Sequence, residues 1–159
     1  MYCLSQEQTL PVTRPELWDF VATPENLNRI TPPDMEFEII GDLPSRIYSG
    51  QLIEYRVKVP LMGRISWLTE IKHVVEGVSF VDEQRLGPYK LWIHKHGLED
   101  VESGTKMIDE VLYALPYSLL GEVIHSIWVR TTLERIFRYR YSELKNIFPP
   151  KPSGFKSTK

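Results

Sequence analysis

The sequence contains one cysteine, Cys3, among its 159 residues. A single thiol forms neither an internal disulfide nor a thiolate metal site, so dithiol redox proteins and zinc fingers are excluded. No apolar run approaches the roughly 18 residues that a membrane span requires, and the first residues show no basic or apolar signal segment. These features predict a cytoplasmic protein without stable membrane insertion.

A basic excess is also missing, since 19 Lys and Arg stand against 21 Asp and Glu and the formal net charge is -2. Proteins that bind nucleic acid usually carry a positive excess, so no nucleic-acid partner is expected. Gly-rich phosphate loops and Ser or Cys nucleophile motifs are absent, which excludes P-loop, dinucleotide-binding and acyl-enzyme classes. We expect no cofactor, and both a monomer and a homodimer remain open.

Two start signals near the N-terminus predict two short helices. Thr13-Arg14-Pro15-Glu16 fits a capping box, in which the Thr13 hydroxyl accepts from the Glu16 amide and Pro15 is tolerated in the first turn. Thr23-Pro24 then begins a second helix of one or two turns, which Pro32-Pro33 ends.

Between residue 35 and about residue 114 the apolar period is two, and five clusters of turn residues interrupt it. This pattern predicts six strands. Their short connections favour an antiparallel meander, because a parallel crossover needs a dozen or more residues. The residues before Thr13 can supply a seventh strand.

A long helix is predicted after Pro116, with Ser118 as its cap and Pro149 beyond its end. About 28 residues at about 1.5 Å each give a rod of roughly 42 Å, long enough to be the main cover of the sheet. The chain is therefore predicted to form one α+β domain at residues 1–148 and a flexible tail at residues 149–159.

The C-terminal part of the sequence is basic, because residues 121–159 hold eight Lys and Arg against three Glu. Such a segment can contact anionic lipid or RNA, but runs of charge usually mark an exposed face. We therefore predict a solvated outer face of the helix, formed by Arg130, Arg135, Arg138 and Arg140.

Strand alternation predicts which side chains face the core. The inward sets on the five longer strands are Ile53, Tyr55, Val57 and Val59; Ile65, Trp67, Thr69 and Ile71, with His73 in the same phase; Val78, Phe80, Asp82 and Gln84; Trp92, His94, His96 and Leu98; and Thr105, Met107, Asp109, Val111 and Tyr113.

Several of these inward residues are polar: Asp82, Gln84, His94, His96, Asp109 and Tyr113. Burying a polar group costs several kcal/mol unless it is hydrogen-bonded, so a solid core does not easily hold all of them. A partly wet cavity between the sheet and the long helix accommodates them. The alternative is a closed structural network, such as His94 with Asp109, that only completes the packing.

Many residues across the chain are similar to those of the START-like superfamily of helix-grip proteins, also called SRPBCC, and more narrowly to its bacterial cyclase/dehydrase or ligand-binding branch. The resemblance spans nearly the whole chain and is most specific from Phe80 to Tyr113. Its residues are Leu17-Trp18-Asp19-Phe20, Asn26-Leu27, Ile30-Thr31-Pro32-Pro33, Gly50, Ile53, Tyr55, Trp67, Thr69-Glu70-Ile71, Phe80-Val81-Asp82-Glu83-Gln84, Gly87-Pro88-Tyr89, Trp92, His94, His96, Gly104-Thr105, Met107, Asp109, Tyr113 and Leu115-Pro116.

The resemblance implies a curved antiparallel sheet of six or seven strands wrapped around the long C-terminal helix, with a hydrophobic tunnel for lipids, sterols, polyketides or other apolar molecules. It does not identify a reaction, because some relatives close or dehydrate aromatic rings and others only bind or carry a ligand. One departure is Leu98, where the family often has Phe, which alters pocket volume more than chemistry.

The inward histidines allow two chemistries. His94 and His96 lie about 6.5 to 7 Å apart on one strand face, a spacing that metal sites on sheets use, and a third ligand would be Asp82 or Asp109. Two histidines on a core face more often form hydrogen bonds, so no metal is predicted. As an acid/base device, a histidine oriented by Asp82 or Asp109 takes a proton alpha to a carbonyl while Tyr55 or Tyr113 stabilises the enolate.

We therefore predict a domain that binds a small hydrophobic or amphipathic molecule, with a cyclase/dehydrase-like enzyme that needs no redox cofactor as the alternative. A third class, an interaction module without a ligand, requires a filled interior and a large exposed apolar patch. The predicted catalytic residues are His94, His96 and Asp109, and the predicted ligand-binding residues are Tyr55, Trp67, Phe80, Asp82, Gln84, Trp92, Met107, Val111, Tyr113, Ile127 and Trp128.

Overall fold

The computed structural model describes residues 1–59, 63–116 and 120–150, and of residues 120–127 it describes the backbone alone. Seven strands and two α-helices make up the fold, together with the 3₁₀ helices Pro24–Ile30 and Pro33–Met35. In chain order they are β1 (Tyr2–Leu10), α1 (Arg14–Val21), β2 (Glu38–Ile40), β3 (Leu52–Val59), β4 (Gly63–Val75), β5 (Ser79–Leu86), β6 (Leu91–Val101), β7 (Gly104–Ala114) and α2 (Leu120–Ile147).

The strands form a single antiparallel sheet in the order β1-β7-β6-β5-β4-β3-β2. Each strand from β2 to β6 pairs with the next along the chain, which confirms the predicted meander of the six strands β2 to β7. β1 closes the other edge by pairing with β7, from Tyr2 opposite Tyr113 to Leu10 opposite Thr105. The predicted N-terminal seventh strand is therefore confirmed.

Local sequence signals account for the N-terminal helices. The Thr13 side chain accepts from the Glu16 amide at 3.4 Å, with Pro15 in the first turn, so α1 begins as the capping box predicts. The second segment is a 3₁₀ helix rather than an α-helix, and the side chain of Thr23 does not cap it. It ends at Ile30, just before the two prolines.

The long helix α2 spans 28 residues, about 42 Å at 1.5 Å per residue, and the predicted end before Pro149 is confirmed. Ser118, the predicted cap, lies outside the described residues, as do residues 151–159 of the predicted tail. The described inner positions of α2 are Val129, Leu133, Phe137, Arg140 and Leu144, each at most 8% exposed. No helix in the described ranges is both long and apolar enough to cross a membrane.

The inward phases predicted for β3, β4, β6 and β7 are confirmed, since their alternate residues are buried or half-buried against α2 and α1. The prediction of an inward side chain is wrong at two residues. His73 is exposed and has φ 50 at a bulge between Lys72 and Val75, so its side chain leaves the inner face. Val78 is 39% exposed because it belongs to the turn before β5 begins.

Candidate functional site

Three neighbouring strands place four titratable side chains beside one another. In the sheet register Asp82 of β5 lies opposite His94 of β6, and His96 of β6 lies opposite Asp109 of β7. All four have the same phase and point to the side of the sheet that α2 covers. Side chains directly opposite one another on one face lie close enough to interact, so the register itself builds the cluster.

Each imidazole lies between the two carboxyl groups. His94 is hydrogen-bonded through Nε2 to Asp109 Oδ1 at 2.9 Å, and its Nδ1 lies 3.3 Å from Asp82 Oδ2. His96 is hydrogen-bonded through Nε2 to Asp82 Oδ2 at 3.3 Å, and its Nδ1 lies 2.9 Å from Asp109 Oδ1. This last contact lacks hydrogen-bonding alignment, so His96 Nδ1 has no hydrogen-bond partner.

Aromatic rings hold the cluster in place. Trp92 Nε1 donates to Asp82 Oδ1 at 3.1 Å, which orients the second oxygen of that carboxylate toward the histidines. The Phe80 ring stacks on His96 with 4.2 Å between centroids, and the Phe137 ring of α2 meets His94 edge-on at 5.5 Å. The His94 and His96 rings themselves lie 3.8 Å apart. These contacts leave little rotational freedom to either imidazole.

The protonation of the cluster follows from its charges. Burial raises the pKa of Asp82 and of Asp109, but the charges and hydrogen bonds of His94 and His96 outweigh burial and hold the pKa of each carboxyl well below its usual range. Burial lowers the pKa of His94, and the two carboxylates more than offset it, so this pKa lies above the ordinary value of a histidine. Both carboxyls are therefore ionised at neutral pH, and protonated His94 is favoured.

Arg140 lies beside this cluster, although its charge predicted a place on the solvated face of α2. It is only 8% exposed, whereas Arg130, Arg135 and Arg138 are exposed as predicted. Its Nη1 lies 3.7 Å from Asp109 Oδ1, and its Nε is buried without a hydrogen-bond partner. The spacing that contained this signal is Leu133, Phe137, Arg140 and Leu144, the inner stripe of the helix.

Two cavities lie against this cluster, between the sheet and the helices. The first has a volume of about 80 Å³, and the second a volume of about 120 Å³. His96 lines the first and His94 the second, while four residues line both, namely Leu27, Tyr55, Asp82 and Arg140. The polar cluster therefore stands where the two cavities meet.

The structure brings most of the predicted site residues to these cavities. The first is lined by Tyr55, Phe80, Asp82, His96 and Met107, and the second by Tyr55, Trp67, Asp82, Trp92 and His94. Asp109 lies behind the histidines. Tyr55 is half-buried, and burial and then the charge of Asp82 raise its pKa, so its hydroxyl stays protonated and can donate.

The remaining predicted site residues lie elsewhere. Gln84 braces the β5–β6 loop, because its side chain donates to the carbonyl of Tyr89 at 2.7 Å and accepts from its amide at 3.2 Å. Val111 is fully buried in the core, and Tyr113 lines a separate groove between β1 and α2. Half-buried Trp128 packs on the core cluster around Val111, and the side chain of Ile127 lies outside the described part of the chain.

Tyr89 is a cavity residue that the list of predicted site residues omits. It lines the second cavity from the β5–β6 loop, and its ring packs on Trp67 and Trp92 with centroids 5.5 Å and 4.8 Å away. Burial raises the pKa of the Tyr89 hydroxyl, and the electrostatic effect of Tyr113 raises it further. The Gly87-Pro88-Tyr89 segment is part of the family resemblance, and this resemblance is the sequence signal for the residue.

No protein-family profile matches the sequence, and no curated protein matches it either. Solved structures do match. Protein CV1439 from Chromobacterium violaceum has a TM-score of 0.70 at 11% identity, over 95% of this chain and 100% of that chain. Ara h 8.0201 has a TM-score of 0.58 at 17% identity, over 91% of this chain and 98% of that chain.

A nucleoside-diphosphate sugar epimerase from Corynebacterium glutamicum matches at 24% identity with a TM-score of 0.65, over 90% of this chain but only 28% of that chain. At such identities the similarity concerns the fold alone. The seven-stranded antiparallel sheet and the long last helix are shared with these neighbours, so the chain has the predicted α+β helix-grip fold.

Proposed function

We propose that the chain binds a small, mostly apolar molecule with an oxygen-bearing end in the space between the sheet and α2. The observation that carries this proposal is the meeting of two apolar cavities at a buried polar cluster. Small-molecule sites typically combine apolar walls with a few convergent polar groups that orient the ligand. The helix-grip fold of the structural neighbours is compatible with this use of the interior.

The cavities set the size of the ligand. The larger one, of about 120 Å³, resembles in size the roughly 150 Å³ apolar cavity that takes up benzene in another protein. The side chains of Leu27, Tyr55 and Arg140 stand between the two cavities, since they line both. A molecule the size of one ring fits the present shape, and a longer one requires these three side chains to turn aside.

Unpaired donors at the cavity walls set the polarity of the ligand. Arg140 Nε, Trp67 Nε1 and Thr69 Oγ1 are buried without a hydrogen-bond partner. The neighbouring Thr69 lowers the pKa of the Tyr55 hydroxyl, against the larger opposite effect of burial, but the two hydroxyls lack the alignment of a hydrogen bond. An unmatched buried donor costs about 1 to 3 kcal/mol, and a ligand oxygen would relieve that cost.

These donors also weigh against a closed structural network. Such a network explains the contact of His94 with Asp109, in which both partners are satisfied. It does not explain buried donors on three other residues, nor an arginine turned into a cavity on the inner face of α2. A finished core pairs its buried polar groups, whereas a binding site leaves some of them for the ligand.

Native mass spectrometry of the full chain purified from its own host tests the proposal directly. We expect an organic adduct that is retained under gentle ionisation and released on unfolding. A tryptophan-fluorescence titration, in which Trp67 and Trp92 report on the cavity, then measures affinity for small aromatic ketones and acids. The proposal is contradicted if the protein carries no adduct and also shows no affinity in this titration.

A pair of threonine variants gives the matched control. Thr69→Val removes the unpaired cavity hydroxyl, so it should leave the free energy of unfolding unchanged or raised while ligand affinity falls about tenfold. Thr105→Val removes a hydroxyl that donates to the Val12 carbonyl at 2.8 Å away from both cavities. It should cost about 1 kcal/mol of stability and leave ligand affinity unchanged. The reverse pattern would assign the Thr69 hydroxyl to folding.

Acid–base catalysis of the cyclase/dehydrase kind is the second candidate, favoured by one contact. His96 and Tyr55 line the same cavity, and His96 is hydrogen-bonded to Asp82. A neutral imidazole there can take a proton alpha to a ligand carbonyl, while the Tyr55 hydroxyl donates to the enolate oxygen. With a substrate in hand, Tyr55→Phe should lower turnover by about a hundredfold or more, and a loss confined to affinity would reject the reaction.

A further inference from the structure

Three side chains with metal-binding atoms converge where the two cavities meet. A carboxylate oxygen of Asp82 and one ring nitrogen each of His94 and His96 lie within 4.8 Å of one another. Across the described ranges, no other three His, Cys, Asp or Glu side chains come together in this way. Imidazole and carboxylate without a thiolate form a donor set that suits Zn²⁺.

The two contacts of Asp82 Oδ2 with the histidines are long for hydrogen bonds and have the spacing of two ligands of one ion. Asp82 Oδ2 lies 3.3 Å from His94 Nδ1 and 3.3 Å from His96 Nε2. Hydrogen bonds between N–H and O cluster near 2.9 to 3.0 Å. Two ligand atoms that are each about 2.0 to 2.1 Å from a tetrahedral ion lie about 3.3 to 3.4 Å apart.

The outer contacts are those that metal-bound histidines usually have. The opposite nitrogen of His94, Nε2, is hydrogen-bonded to Asp109 Oδ1 at 2.9 Å, and that of His96, Nδ1, lies 2.9 Å from the same oxygen without hydrogen-bond alignment. Trp92 Nε1 donates to the Asp82 oxygen that faces away from the histidines. A carboxylate that accepts from the far side of a histidine fixes the ring and raises its basicity toward a metal.

The charge balance also favours a cation. The half-buried carboxylate of Asp82 and the buried one of Asp109 face one another across the histidines. Arg140 is the only Lys or Arg of the described residues within 4.0 Å of either. The two carboxylates and Arg140 sum to one negative charge, which either a proton on an imidazole or a bound cation balances. A buried negative charge is costly, and a divalent ion reverses its sign.

We propose that Asp82 Oδ2, His94 Nδ1 and His96 Nε2 bind one divalent ion of the Zn²⁺ type, with Asp109 as the outer acceptor for His94 and close to the outer nitrogen of His96. The cavities that share Asp82 leave the remaining coordination position open to water or to a ligand oxygen. The site does not depend on the organic ligand proposed above. It is an alternative to acid–base catalysis by His96, because the ion would replace the hydrogen bond between His96 Nε2 and Asp82 that orients the imidazole in that reaction.

The test is a Zn²⁺ titration of the full chain, freed of any affinity tag and stripped with a chelator, in competition with a chromophoric chelator. We expect one equivalent to bind, and Co²⁺ in its place to show the intense visible absorption of a four-coordinate ion. Asp109→Asn should weaken Zn²⁺ by about tenfold to a hundredfold, and Asp82→Asn by more than that. His73→Gln, which removes an exposed histidine, is the control and should change nothing.

A second measurement on the wild type covers the case in which a variant does not fold. Long-range ¹H–¹⁵N spectra of the imidazoles should show Zn²⁺ at Nδ1 of His94 and at Nε2 of His96. Absence of a stoichiometric site, or Zn²⁺ bound at other histidines, overturns the proposal. Thr69→Val should leave Zn²⁺ affinity unchanged, so failure of the metal site and failure of the organic ligand site are separable.

Discussion

Asp109→Asn removes the charge at the centre of the polar cluster while keeping the shape of the side chain. Asp109 is 5% exposed and accepts from His94 at 2.9 Å, with His96 at 2.9 Å and Arg140 at 3.7 Å from the same oxygen. Removing one partner of a buried ion pair costs about 3 to 5 kcal/mol. The Asn oxygen can still accept from His94, so we expect a loss of about 3 kcal/mol, a large part of the roughly 5 to 15 kcal/mol of a typical domain.

The assay is urea unfolding at pH 6, followed by tryptophan fluorescence in the presence of a metal chelator. The midpoint should fall while the dependence of free energy on urea stays constant, because the surface exposed on unfolding is the same. Glu110→Gln is the control on the same strand: Glu110 is half exposed and pairs with Lys95 at 3.5 Å, so its loss should cost under about 0.5 kcal/mol. A loss below about 1 kcal/mol for Asp109→Asn would refute the assignment of Asp109 as a buried ionised group.

Three further predictions concern the fold and the pH dependence of its stability. Gly104→Ala should lower the free energy of unfolding by at least about 2 kcal/mol, because a Cβ there would lie 2.1 Å from the Leu10 carbonyl oxygen. Gly77, also at positive φ, has open space around it, so Gly77→Ala should lower it clearly less in the same thermal unfolding series. Leu144→Ala should cost about 2 to 5 kcal/mol in urea unfolding, since this side chain is 1% exposed where α2 meets the core, and a loss under about 1 kcal/mol would mean that the end of α2 is loosely packed. The pKa of His94 is raised in the folded state. Its contribution to the free energy of unfolding is therefore complete below the unfolded-state pKa of about 6.5 and is lost as the pH rises through the folded-state pKa. The free energy of unfolding should decline above neutral pH, and His94→Gln should abolish that decline.

Alternation along the strands predicted the polar cluster from the sequence. β6 and β7 are regular over eleven residues each, so a period of two keeps its phase from one end to the other. His94, His96 and Asp109 therefore point inward as the pattern requires, and the antiparallel register brings them into contact. The same argument fails at His73, because a bulge adds one residue to the strand and so exchanges the inward and outward positions beyond it. No residue type in this stretch of sequence marks the bulge.

Arg140 shows a different limit. Its position on the inner stripe of α2 was readable from the spacing of Leu133, Phe137 and Leu144, but its charge indicated the solvent face. What keeps it inside is Asp109, which belongs to a strand far away in the sequence. The cavities could not be predicted either, because they are the volume that remains when large side chains of the sheet and of α2 do not fill the space between them.

The pairing of β1 with β7 joins residues about one hundred positions apart, from Tyr2 opposite Tyr113 to Leu10 opposite Thr105. At a synthesis rate of about 5 to 20 residues per second, β1 leaves the ribosome about 5 to 20 seconds before its partner strand exists. Contacts of such high sequence separation form slowly, because a long loop must close before any hydrogen bond rewards it. Until β1 pairs, the free edge of β7 is available to the first strand of another copy. We therefore expect exchange of β1 between molecules to be the folding error to which this topology is most exposed.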